Sequence, residues 1–492
     1  MNAARLAIGL FACLAGLAAS AQTVEILSAK NISRNPDITT AQRFLGDVVM
    51  NHRDAVLRCD SAWRYASGEV EVFGRIRMDQ PPSTTLNCAY LRLEPQEEWA
   101  LARGDVLLSH DGGTLRAPEL RYHIGARKAR YTEGAAIAQG AWQVTSQTGR
   151  YDAPADRLEL GGNVVARNGT DTLQSDSLHW LRSADRYLFH GATTWRSPDG
   201  SFACLRGDVV MRDGSEGKDP TGWLAGDVEV LDGPRSVRCD SLEWRDAVSE
   251  TWGNVWLGDG ETTVAGTYAR RSTADSTDIV RGAPARLTRV GTDDTLRVEA
   301  LHLWARGEVV RARDAVHFSQ GEVHGQGDSL AWRENAARGD QARGNQMRDG
   351  LGQDSPGRDG RGRMDLWGTP RLWVGEDALR GDTVRLFLEA RKPALLELRG
   401  HAHVASPAND SLNHEIAGRT LDARFEDGRL HTVDVLGNGE LTYYDLPDTG
   451  EARVNRATCA HVTLTFRNRQ IAGIHLQNGP RGRVEPLAEG GE

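Results

Sequence analysis

Apolar side chains alternate with polar ones over most of this chain, and the alternation returns at a fixed interval. Leu57-Arg58-Cys59 is followed by Leu86-Asn87-Cys88, Leu115-Arg116-Ala117, Val144-Thr145-Ser146 and Leu173-Gln174-Ser175, in steps of equal length. Leu93, Tyr122, Tyr151 and Trp180 keep the same step. A constant interval of this size predicts stacked supersecondary units. Alternation at period two, broken by turn residues, predicts two strands in each unit. In the fifth unit, Leu178 and Trp180 share one strand face, a polar turn follows at 182–186, and Tyr187-Leu188-Phe189 begins the return strand. No stripe of helical period appears after residue 21.

Two further elements recur. Asp-Ser-Leu-x-Trp stands at 176–180, 240–244 and 328–332, with Leu and Trp two apart and so on one side of a strand. Gly46, Gly74, Gly104, Gly162, Gly191, Gly226, Gly253 and Gly282 precede the second strand of their units, where glycine fits a bend or bulge. The rhythm breaks between Ser197 and Gly226 around a turn-rich loop, then resumes at Val237 with steps that wander. A looser echo, with a longer step, relates Gly381 to Gly418, Val384 to Leu421 and Gly400 to Gly437.

These patterns divide the chain into a leader (1–21), a first β segment (22–335), a loop or linker rich in Gly and Arg (336–365), a second β segment (366–480) and a polar tail (481–492). The leader carries Arg5, an apolar run over 6–18 and Ala19-Ser20-Ala21, which predicts an exported protein beginning at Gln22. A lipoprotein reading through Cys13 is the weaker alternative, because the apolar run would be cut short. No later stretch approaches the roughly 18 apolar residues of a membrane-spanning helix.

Composition adds little beyond exclusion. The 492 residues carry 26% charged side chains and a formal net charge of −9, with no basic stripe for nucleic acid. Phosphate-loop, zinc-protease, nucleophile-elbow and EF-hand patterns are absent, so no catalytic residue, metal or cofactor is expected. His401 and His403 lack an evident third metal ligand. Asp60, Asp176, Asp240 and Asp328 recur with the units and suit hydrogen bonds to turns better than calcium. Cys59 and Cys88 occupy one slot of neighbouring units and stand open between a disulfide and two buried thiols. Tyr122, Tyr151, Leu178, Trp180, Leu242, Trp244, Leu330 and Trp332 share the inward phase, either packing on one another or lining a greasy trough.

The export leader, the two-strand repeat, the Gly-Asp-Val-Val (46–49, 207–210) and Gly-Asn-Val (162–164, 253–255) openings and the Leu-x-Trp strands resemble the OstA-like, LptA-type family of lipopolysaccharide-transport proteins. The resemblance implies an all-β, elongated, half-open β-jellyroll, or β-taco, of two-strand units of about 29 residues. It implies a periplasmic location in association with the outer membrane, and a bridge that holds lipid A acyl chains of lipopolysaccharide in an apolar groove. It also implies partners among other bridge proteins through edge-strand pairing, and end-to-end self-association. The alternatives are a parallel β-solenoid acting on polysaccharide and a structural or adhesive β-roll at the cell surface.

Overall fold

The computed structural model describes residues 24–211, 220–291, 295–307, 309–334, 362–389, 392–426, 429–447, 450–467 and 470–487. The leader, and residues 336–361 of the expected linker, lie outside the described residues. The described chain is strand almost throughout, with one short 3-10 turn, Arg182–Ala184. No helix among these residues is long and apolar enough to cross a membrane. It separates into two compact units, 1–198 and 199–492.

The first unit is an antiparallel meander. Gln42–His52, Ala55–Arg64, Val70–Gln80, Thr84–Glu94, Trp99–His110 and Gly113–His123 pair in sequence. Antiparallel neighbours need only short turns, which is what the polar breaks between alternating runs supply. Every described pairing is antiparallel, and the parallel solenoid alternative is thereby set aside.

Each long strand bends in its middle. Leu45 pairs with Ser61 and Val48 with Cys59, leaving Gly46 and Asp47 opposite Asp60 alone. Gly46 and Asp47 both have positive φ, 79° and 45°. This is a bulge, and it turns the strand sharply. The glycines therefore sit inside single bent strands rather than ahead of separate ones. The consequence shows where chain is cut at the bend. Gly113–His123 pairs with Lys128–Tyr131 through one half and with Ala135–Gln139 through the other. Two walls thus meet at a corner, and one strand runs through both.

The meander also explains the thiols. Cys88 pairs with Ile76 on the strand Val70–Gln80, and that strand lies between those of Cys59 and Cys88. Same-slot residues of successive units are two strands apart, about 9.6 Å, beyond the roughly 7 Å that a disulfide spans. Cys59 and Cys88 are free and buried, which corrects the disulfide alternative. Phe202-Ala203-Cys204 stands one further equal step beyond Leu173, with Cys204 buried in the same slot, so the rhythm reaches further than the break at Ser197 suggested.

The second unit repeats the architecture from Gly200–Val210 to Val309–Gln320 and Val323–Glu334. The last of these pairs with Gly362–Trp367 through one half and Arg371–Val374 through the other. Strand structure therefore begins inside the segment expected as linker. The sheet continues through Lys392–Pro407, Asn413–Glu426, Arg429–Asp445 and Arg453–Arg467. Arg481–Pro486, expected as polar tail, is an edge strand on Arg453–Arg467.

Candidate functional site

The inward face changes character between stretches of the same pattern. In the first unit, Val70–Gln80 buries Val70, Val72, Ile76, Met78 and Gln80. In the second, Arg235–Arg245 buries only Cys239, and Val248–Gly258 only Thr251 and Val255. Here the two walls stand apart around a cleft of about 320 Å³, a size typical of small-molecule sites.

Two rows of directly opposed residues line it. On one side of the corner run Val237, Leu257, Val264 and Leu287. On the other run Leu242, Thr251, Ala269, Val280 and Leu303. Val237, Leu242, Leu257 and Val264 are only half-buried, so apolar surface faces an opening instead of another side chain. Charged residues mark the rim: Arg271 lies 3.9 Å from Asp278, Arg270 lies 3.8 Å from Glu250, and Arg289 stacks 4.9 Å over the Trp332 ring.

The eight inward residues expected from the sequence part company. Tyr122, Tyr151, Leu178, Trp180, Leu330 and Trp332 are all buried. Tyr122 donates to Gln80 Oε1 at 2.6 Å, and Trp180 stacks on Tyr187 at 5.8 Å. Beside Trp180 and Tyr151 only about 40 Å³ remains. Leu242 lines the open cleft, and Trp244 is half-buried against Gly222. Among the lining positions that periodicity missed are Val237, Leu257, Val264, Ala269 and Ile279, whose alternation is that of any other rung.

The recurring aspartates are structural. An added Cβ on Gly74, Gly191, Gly253 or Gly368 would lie 2.0–2.4 Å from an oxygen of Asp60, Asp176, Asp240 or Asp328 respectively. Asp176 accepts from the Ala192 N–H at 2.8 Å, and Asp60 from Arg75 at 2.7 Å. These carboxylates brace the bulge of the next strand. Among the described residues no group of three or more His, Cys, Asp or Glu could hold a metal. His401 sits in a bulge bonded to Asp382 at 3.1 Å, whereas His403 lies opposite Arg380.

The bent, doubly walled strands of the first unit invite comparison with known families. Residues 21–182 match the family described as OstA-like protein. The OstA-like match thus covers the packed part of the first unit and stops short of the cleft. No curated protein matches the chain. Among solved structures, LptH from Pseudomonas aeruginosa, described as the LptA homologous periplasmic component of the conserved lipopolysaccharide transport device, is 20% identical. That match covers 25% of this chain and 96% of LptH, with a TM-score of 0.20.

Proposed function

We propose that this protein is a periplasmic lipid-binding component of lipopolysaccharide transport and outer-membrane assembly, holding acyl chains between the two walls of its second unit. The carrying observation is the cleft bounded by Val237, Leu257 and Val264 on one wall and Leu242, Ala269 and Leu303 on the other. Each buried methylene gains about 0.8 kcal/mol, so ten carbons gain roughly 8 kcal/mol before ordering costs. That suffices to hold a chain without a dedicated polar contact. The OstA-like match over 21–182 supports the class of cargo.

The test is photo-crosslinking in cells. A photoreactive residue at Leu242 or Val264 should yield lipopolysaccharide adducts, and one at Leu178, in the packed interior, should not. Adducts to protein alone from every cleft position would overturn the proposal. A closed, adhesive roll would give no lipid adduct at either place.

A further inference from the structure

A row of like charges crosses the second unit. Arg371, on Arg371–Val374, lies directly opposite Arg380 on Asp377–Arg380, and Arg380 directly opposite His403 on Lys392–Pro407. Adjacent strands are about 4.8 Å apart, and like charges directly opposed destabilise a sheet. Elsewhere in this unit an arginine in such a row meets a carboxylate: Arg385 lies 2.9 Å from Asp365 and 3.0 Å from Glu397. Among the described residues no carboxylate stands within ion-pair distance of Arg371, Arg380 or the neighbouring Arg419. All three arginines are exposed, and they border a concavity of about 940 Å³ on the corner. Of its two acids, Asp382 is engaged by His401 at 3.1 Å, and Glu440 is separated from His403 by Ala417.

We propose that this concavity binds a phosphate-bearing group, a phosphomonoester or diphosphate, through the guanidinium groups of Arg371 and Arg380 with His403 as a third donor. Arginine forks match phosphate oxygens with paired, charge-assisted hydrogen bonds. Three donors on adjacent strands span about 10 Å, the reach of a diphosphate rather than of a single charge. The opposed charges, unfavourable alone, become complementary once an anion lies between them. His403 supplies a built-in reporter. Burial and the Arg380 charge hold its pKa below the ordinary histidine value, against the opposite pull of Glu415. A bound anion raises it. The site is distinct from the apolar cleft, and neither reading depends on the other.

The full chain is titrated with inorganic pyrophosphate, and separately with neutral vesicles and vesicles containing phosphatidic acid. Saturable binding of pyrophosphate assigns the site to soluble phosphates; binding of phosphatidic acid vesicles alone assigns it to a membrane-held headgroup. In either arm Arg380→Gln should weaken binding about tenfold, while Arg297→Gln, outside the concavity, leaves it unchanged. Arg380→Gln should also hold or raise the melting temperature, because it relieves repulsion. The His403 imidazole resonances should titrate at higher pH with pyrophosphate or vesicles present. Failure of both probes to bind, equal binding by Arg380→Gln, or loss of stability in Arg380→Gln would overturn the proposal.

Discussion

The carboxylate of Asp240 occupies the space that a side chain on Gly253 would need. An added Cβ would lie 2.0 Å from Asp240 Oδ2, Gly253 has φ of 70°, and the Asn254 amide donates to both Asp240 oxygens at 3.0 and 3.2 Å. One carboxylate thus pins the bulge of the adjoining strand, and the bulge makes the corner. Gly253→Ala should cost roughly 2 kcal/mol, combining left-handed strain with displacement of Asp240. Gly68→Ala, at φ of 89° with nothing within 4 Å, should cost about half that. Urea midpoints of the two variants provide the comparison.

The packed and open interiors should respond oppositely to added bulk. Val264 is half-buried at the cleft, so Val264→Trp should fold normally and reduce uptake of a fluorescent fatty acid. Val72 is 0% exposed, so Val72→Trp overfills a close-packed core and should lose about 1–3 kcal/mol or fail to fold. Equal loss of stability in both would show that the cleft closes in solution.

His52 is buried and neither ring nitrogen has a hydrogen-bond partner. Burial first, and then the Arg53 charge, lower its pKa below the ordinary value, with Glu98 opposing. The folded state therefore binds this proton less readily than the unfolded chain does. Its neutral form supports the fold above about pH 6.5, and that contribution is lost as pH falls from there through the lowered folded value. His52→Leu should flatten the decline of the urea midpoint between pH 7.5 and 5.

Asp365 is 4% exposed and accepts from Arg363 at 2.8 Å and from Arg385 at 2.9 Å. Arg385→Ala leaves a buried carboxylate with one partner and should cost about 2 kcal/mol, less than a wholly buried pair because Arg385 is partly solvated. Removing both charges should cost less than the sum of the single losses. Chemical denaturation of the two single variants and the double variant measures the coupling.

Burial pushes the Cys59 and Cys88 thiols up to about 12. Both should resist alkylation at pH 8 in the native protein and react fully in denaturant without reductant. A requirement for reductant would show a bridge across the intervening strand.

Strand content, unit length and the corner were legible because each depends on neighbours in sequence. Period-two alternation makes Leu178 and Trp180 one face of a strand whatever lies across from them, and Asp-Ser-Leu with a later glycine carries the brace and its bulge. The Cys59–Cys88 relation was not legible, since an even repeat interval does not say that a returning strand intervenes. Nor was the difference between two copies of one motif. Leu178 with Trp180 and Leu242 with Trp244 read alike, yet the first pair is buried, whereas Leu242 lines an opening and Trp244 is half-buried beside Gly222. By itself the sequence determined which residues share one face of a strand. Only the tertiary structure decided whether the facing wall comes close enough to cover them, because that distance depends on side chains many strands away and leaves no mark on local alternation.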